Sequence, residues 1–292
     1  MINDDVYWHD QIHKVMPDLA IASYELYQEG VVNDVLVVNG QWVIRFTHTE
    51  WGKELMTMED QLMRFIAPQL ILKVPFPEKC ADGVMVYPLL QGDPFLRETW
   101  ASADETDQQR LADQLGLFLN ELHHLSTENL DWEIPLTLAP VTLETWVDIY
   151  ERFVEKVQPL LLPHQKEWMD SLFESALDKP AFFDFQPVLI HGDLAPYHIL
   201  YSKGNKRLNA VIDFGIAGLG DPATDLGSLI NSYGETLVSK MKGKYPDLEG
   251  LLPRARFYAQ AIELQWVLLG VESGEKYWFT AHLGGARDIR NP

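Results

Sequence analysis

Hydrophobic and polar positions along this chain change period several times, and each change predicts an element. In residues 24–46, YELYQEG and DVLVVNGQWVIRF carry β-branched and aromatic side chains at strand spacing, with Asn39-Gly40 as a hairpin turn. Over 50–66, EWGKELMTMEDQLMRFI lengthens the period. Leu55, Met58, Leu62, Phe65 and Ile66 recur at helical spacing and predict the buried face of an amphipathic helix. The prolines of APQLILKVPFPEKC break that pattern, and GVMVYPLLQG reads as a strand ending at Pro88 and Gly92. Then LADQLGLFLNELHHL predicts a helix over 106–125, and 142–177 reads as helical with interruptions near Pro159 and Pro163. VLIHGDLAPYHILYSKGNKRLNAVIDFG differs again, with short apolar strands flanking polar loops and a turn at Lys203-Gly204-Asn205. From 225 onward the chain reads mostly as helix. Strands with one helix, a connecting strand and a helical portion carrying a small β insert predict an α+β protein, with a boundary near 88–93.

Composition narrows the class. The 292 residues are 47% hydrophobic, enough for a substantial core in one large domain or two modest ones. Cys80 is the single cysteine, which excludes an internal disulfide and a cysteine-rich metal site. MINDDVYWHD lacks a basic region followed by an apolar one, and no run of about 18 apolar residues occurs. The expectation is a cytoplasmic protein with no membrane partner. The net charge of −20 repels a phosphate backbone, so no nucleic-acid partner is expected, and it attracts a cationic small molecule. Solubility alone is the competing explanation of that acidity.

The residues with the most chemistry are Asp193, His198 and Asp213. Asp193 follows the apolar PVLI, His198 opens the next short strand, and Asp213 ends NAVI and precedes Phe214-Gly215. If these short strands are adjacent, two carboxylates and an imidazole converge at one edge. Carboxylates there suit Mg²⁺ with substrate phosphates completing its shell, and a separate Asp suits proton acceptance from an attacking hydroxyl. HGD or DFG alone can be a capped turn; their order after apolar strands is what carries weight.

HGDLAPYHIL, VIDFG and GDPATDLGSL together resemble the phosphotransferase family of aminoglycoside kinases, macrolide kinases and choline-kinase-like enzymes, which share the protein-kinase-like fold. The resemblance covers most of the chain and is most specific in the C-terminal block. It implies a two-lobed α+β protein, with a small β-rich nucleotide-binding lobe over 1–90 and a larger helical catalytic and substrate-binding lobe over 91–292. Asp193 matches the catalytic Asp that orients the acceptor hydroxyl and takes its proton. Asp213 matches the Mg²⁺-binding Asp, His191 the residue that braces the catalytic loop, and Asp225 an acid that hydrogen-bonds the loop backbone. Such chemistry rests on positioning and charge neutralisation.

Two positions depart from the family pattern. His198 stands where Asn is usual. Macrolide kinases and a subset of aminoglycoside kinases share the His, which either ligates metal or orders the loop. Arg45, in WVIRF, stands at a strand end where a phosphate-binding Lys is usual, and its fork suits phosphate oxygens. Glu59 fits the spacing of its expected helix partner best, with Glu54 second. QEGVVNDVLVV takes the place of a phosphate-covering loop, so Gly30, Asn33 and the loop backbone are candidate phosphate contacts. VYPLLQG takes the place of the purine-reading linker, with Pro88 and Leu90 as candidates; Pro88 lacks an N–H, which makes Leu90 the donor. Glu235 is a candidate contact for an acceptor amine. His123 and His124, adjacent on one helix, do not share a face and read as core or surface residues. Trp266, Tyr277 and Trp278 read as packing that partly lines a substrate cleft.

The implied activity is transfer of the γ-phosphoryl of ATP or GTP, with Mg²⁺, to a hydroxyl of an aminoglycoside-type antibiotic, and so antibiotic resistance. A macrolide is the close rival acceptor; an amino alcohol or sugar is a third. A pseudokinase-like binding protein is the rival of another class, motivated by Arg45 and His198 and opposed by the intact Asp193 and Asp213. The absence of HRD and APE signals opposes a protein kinase.

Overall fold

The computed structural model describes residues 4–28, 33–128 and 130–274. The chain runs α1 (Asp4–Val15), β1 (Tyr24–Tyr27), β2 (Asn33–Val38), β3 (Trp42–Thr47), α2 (Glu50–Ile66), β4 (Lys79–Ala81), β5 (Val84–Pro88), β6 (Asp93–Pro94), α3 (Arg97–Ser102) and α4 (Glu105–His123). It continues with α5 (Leu143–Lys156), α6 (Pro163–Leu177), β7 (Val188–Ile190), β8 (Ile199–Ser202), β9 (Arg207–Val211), β10 (Gly218–Gly220), α7 (Ala223–Tyr233), α8 (Glu235–Lys240) and α9 (Leu248–Ser273). These elements form two compact units. The first holds the described residues of Met1–Pro94, Leu130–Ile134 and His198–Gly215; the second holds those of Phe95–Asn129, Pro135–Tyr197 and Ile216–Pro292.

In the first unit an antiparallel sheet has the order β1-β2-β3-β5-β4. Asn39 and Gly40 make the β2–β3 turn with φ of 54° and 62°, the paired positive angles that suit the right-handed twist of a hairpin. Trp8 and Ile12 of α1, an element the strand and helix periods did not single out, bury against Leu36, Val38, Ile44, Phe46 and Val86 of the sheet. The α2 helix starts where expected, with Thr49 Oγ1 accepting from Gly52 N–H. Its buried stripe is rotated from the expected one. Gly52, Met56, Glu59, Leu62, Met63 and Ile66 are buried, while Met58 is exposed. Glu59 is not among the apolar positions that predicted the buried face, and an ion pair described below brings it inside. A second sheet has the order β6-β8-β9.

In the second unit β7 pairs antiparallel with β10. This corrects the expectation that the strands before Asp193, at His198 and before Asp213 are neighbours: β7 joins β10, while β8 and β9 pair in the other unit. The helical core is aromatic. Trp146 stacks on Tyr258 with centroids 5.9 Å apart and meets Phe257 edge-on at 5.1 Å. Among the described residues, no helix is long and apolar enough to cross a membrane.

α7 and α9 approach closely because Gly227 has no side chain. A Cβ there would lie 2.8 Å from the Tyr258 Cβ and 3.1 Å from the Ala255 carbonyl oxygen. Gly227→Ala would gain about 1 kcal/mol in helix propensity and lose about 1–3 kcal/mol to overpacking. The clash wins, so denaturant unfolding should show a net loss of up to ~2 kcal/mol. Gly243→Ala, with nothing within 4 Å of the new Cβ, should change stability little under the same measurement.

Candidate active site

The loop after β7 is fixed by a buried carboxylate. Gly192 turns the chain at φ +84°, which frees two successive backbone N–H groups from any strand partner. Asp225, in the first turn of α7 and fully buried, receives both: His191 N–H donates to Oδ2 at 2.9 Å and Gly192 N–H to Oδ1 at 2.8 Å. His123 Nε2 lies 3.0 Å from the same Oδ2, and its Nδ1 lies 2.8 Å from the Tyr245 hydroxyl. Burial pushes the Asp225 carboxyl up, but the hydrogen bond and charge of His123 and the backbone N–H of His191 hold it below the ordinary carboxylate range. An ionised Asp225 only accepts, so His123 Nε2 carries the proton it donates. Asp193 N–H in turn donates to Nδ1 of the buried His191 at 3.2 Å. The half-buried Asp193 then lines a cavity of about 470 Å³ within this unit, walled by Trp146, Ile149, Ile216 and Trp266. Trp266 thus lines a cleft, as one expectation had it; Tyr277 and Trp278 lie outside the described residues.

The first unit brings a second set of charged groups together. Arg45 and Glu59 are both buried, and Arg45 Nη1 donates to Glu59 Oε1 at 2.6 Å. The partner is therefore Glu59 and not Glu54, and Arg45 sits inside β3 rather than at its end. Burial pushes Glu59 up against the opposing charge of Arg45, and the Phe214 backbone bonds to its carboxylate. Burial pushes Arg45 down, and Glu59, Tyr87 and Asp213 more than restore it, so it stays cationic. Tyr87 hydrogen-bonds Arg45, and burial raises its hydroxyl to about 12. Asp213 adopts φ +66°, rare for a residue with a side chain, and its half-exposed carboxylate Oδ2 lies 3.2 Å from His198 Nε2.

Other candidates fall as follows. Gly30 lies outside the described residues. Asn33 opens β2, and its buried Oδ1 has no partner among the described residues. Pro88 ends β5, Leu89 N–H donates to the Gln41 carbonyl at 2.7 Å, and Leu90 N–H makes no main-chain bond among the described residues. Glu235 opens α8, where Arg256 forks onto it at 2.6 and 2.8 Å; it does not line the cavity around Asp193. The two adjacent histidines diverge, His123 at the end of α4 into the core and His124, the residue after it, outward onto the Asn120 carbonyl.

The profile of the phosphotransferase enzyme family, APH, matches residues 23–258. The chain belongs to that family. Viomycin phosphotransferase of Streptomyces vinaceus is 31% identical over 290 residues, covering 95% of this chain and 97% of the relative. Among solved structures, the GDP and kanamycin complex of APH(2")-IIia superposes with a TM-score of 0.82 at 26% identity, covering 95% of this chain and 96% of that one. Macrolide 2'-phosphotransferase MphH from Brachybacterium faecium shares the fold with a TM-score of 0.70 at 23% identity, covering 98% of each chain. This member of the family is thus a phosphotransferase with the expected α+β, protein-kinase-like fold.

Sequence reasoning missed two residues of the site. Tyr87 faces Arg45 because Val43 is its partner on β3, and Arg45 is two residues further along the same face. That signal is the period-two alternation of the strands, legible once their register is known. His123 carried no usable sequence signal, because its partners Asp225 and Tyr245 lie 102 and 122 residues away.

The depressed Asp225 pKa sets a pH dependence. A folded-state pKa below the unfolded value gives stability that is present above about pH 3.9 and lost as the pH falls through the folded value. Asp225→Asn should therefore be less stable than the wild type by about 1–3 kcal/mol at pH 6. The gap should close as the pH falls below about 4. Denaturant melts from pH 2.5 to 6 check this; a constant gap would contradict it.

Proposed function

We propose that this phosphotransferase moves the γ-phosphoryl group of ATP or GTP to a hydroxyl of an aminoglycoside-type antibiotic. The observation that carries the reading is Asp193 itself: its loop is pinned from behind by Asp225 and His191, and its side chain lines a cavity of drug-ligand size. Support for the acceptor class comes from the net charge of −20, from the relative whose name is viomycin phosphotransferase, and from the kanamycin complex among the structural neighbours. Support for the nucleotide comes from the GDP in that complex. The apolar wall of Trp146, Ile149, Ile216 and Trp266 favours a macrolide as second reading, since such an acceptor needs apolar surface and one cationic contact.

In this reading Asp193 accepts the proton of the acceptor hydroxyl as its oxygen bonds to the γ-phosphorus. The bond from that phosphorus to the β–γ bridging oxygen breaks, and the nucleoside diphosphate leaves with the electron pair. Arg45, aligned by Glu59, donates to phosphate oxygens, and Asn33 is a further phosphate contact; the role expected of Gly30 falls outside the described residues. Leu90 N–H, with the carbonyls of Pro88 and Leu90, faces the purine. Asp213 and His198 supply an oxygen and a nitrogen donor 3.2 Å apart. No cluster of three or more His, Cys, Asp or Glu suited to a metal occurs among the described residues. The Asp213 carboxylate fits Mg²⁺, which takes oxygen ligands, keeps waters and binds phosphate oxygens; the His198 nitrogen is the weaker donor for so hard an ion. When bound, the ion neutralises phosphate charge. The acceptor side is assigned to 91–292 and the nucleotide side chiefly to 1–90, with Asp213 and His198 added to it. No nucleic acid or membrane takes part, and the setting is cytoplasmic.

A nucleotide-consumption screen with ATP and GTP in parallel, against kanamycin, viomycin, a macrolide and choline, tests the reading. Acceptor-dependent consumption with an aminoglycoside is expected, and consumption with choline alone would overturn the antibiotic assignment. Asp193→Ala should lower transfer by about 100- to 10,000-fold with nucleotide affinity nearly unchanged. Retention of most activity would remove Asp193 from the role. Asp213→Asn should weaken Mg²⁺–nucleotide binding and transfer together, read by calorimetry with Mg²⁺–GTP and Mg²⁺–ATP; wild-type affinity would show that Asp213 holds no metal.

A further inference from the structure

The cavity around Asp193 is bordered by two helical stripes. Thr145, Asp148, Ile149 and Arg152 recur at three- and four-residue spacing along α5, and Gln265, Leu268, Leu269 and Glu272 do so along α9. At one end of these stripes the charges are already matched. Arg152 Nε and Nη2 donate to Glu272 at 3.1 and 2.5 Å, and Nη1 donates to Asp148 at 2.9 Å. Lys156 Nζ donates to Glu272 at 2.7 Å from outside the lining. Two carboxylates thus face two cations, and this end of the cavity is neutral in a chain whose net charge is −20. Beyond Asp193, the cavity's carboxylates are thus engaged: Glu272 through both oxygens and Asp148 through Oδ2.

We propose that Arg152 is a specificity-determining residue: by occupying Asp148 and Glu272 it masks the negative charge of the acceptor cavity, so that an acceptor amine gains there only by displacing a guanidinium. The inference rests on the proposed reaction, because it takes this cavity as the acceptor's. The ion pairs are partly exposed, with side-chain exposures of 40% for Arg152 and 20% for Glu272. Such pairs contribute little to stability. Displacement by a polyamine is therefore affordable, whereas a single amine recovers less of what the fork provides. For the same reason a variant at Arg152 keeps its fold.

Calorimetry with kanamycin, a polyamine, and erythromycin, a macrolide with a single amine, tests this. Arg152→Gln should bind kanamycin about tenfold more tightly, the scale of one charge-assisted hydrogen bond. Erythromycin affinity should change less than about threefold, and Arg152→Lys, which keeps the charge but not the fork, should bind kanamycin with an affinity between those of wild type and Arg152→Gln. Adding Glu272→Gln to Arg152→Gln should cancel the gain. A folded Arg152→Gln variant that binds kanamycin no more tightly than wild type, or that tightens on both ligands alike, overturns the proposal. Phosphoryl transfer measured on the same samples separates the two readings: tighter kanamycin binding without transfer to any acceptor overturns the proposed reaction and leaves the masking by Arg152 standing.

Discussion

A carboxylate taken out of water is costly unless its oxygens are met by donors. Asp225 has no exposure at all, and the donors that satisfy it are the two backbone N–H groups that Gly192's left-handed turn strips of strand partners. Each side resolves the other's deficit. Without Asp225 the loop leaves two buried N–H groups unpaired; without the loop Asp225 has His123 alone. This mutual dependence makes the position of Asp193 a property of the packed core and not of a flexible loop, since His191 carries the constraint one bond further to Asp193 N–H. Positioning is the larger part of what phosphoryl transfer asks of a protein.

The Arg45–Glu59 pair repeats the pattern with a different balance. A buried ion pair is weak evidence for stability, because apolar residues of similar volume do as well or better. Here the carboxylate also receives the Phe214 backbone, directly after Asp213, and Arg45 bonds Tyr87. The group therefore fixes the turn that carries Asp213, whose φ of +66° is itself an unfavoured conformation that packing has to hold.

These two clusters also explain what was and was not legible in the sequence. The hairpin at Asn39-Gly40, the span of α2 and the breaks near Pro159 and Pro163 depend on neighbours within a few residues, so local pattern sufficed. The face of α2 did not, because a charged residue reads as solvent-facing until a partner is known, and Arg45 sits 14 residues away on another element. Strand pairing failed for a related reason. β7, β8 and β9 are each only three to five residues long, and nothing in such short runs says which edge each will join. The candidates that lie in contiguous motifs, Asp193, His198 and Asp213, were marked through resemblance. His123 and Tyr87 act through register and tertiary contact and had no motif to announce them.

The same distinction between local and global applies to charge. A net charge of −20 acts over distances up to the Debye length of about 8 Å and raises the encounter rate of any cation, with little regard to its shape. Discrimination occurs at contact, where what matters is whether a given carboxylate is already engaged. Arg256 engages Glu235, Arg254 engages the buried Asp221, and Arg152 engages Glu272 and Asp148. Arginine's planar fork fills both oxygens of a carboxylate, which lysine cannot do. Where such a fork is buried, as at Asp221, it is part of the framework and fixed. Where it is partly exposed and borders a cavity, as at Glu272, it can be exchanged for a ligand's cation. In the proposed reading, an acidic surface that gathers cations and an arginine-masked cavity that admits only those able to compete are two stages of one selection, and the second sets the specificity.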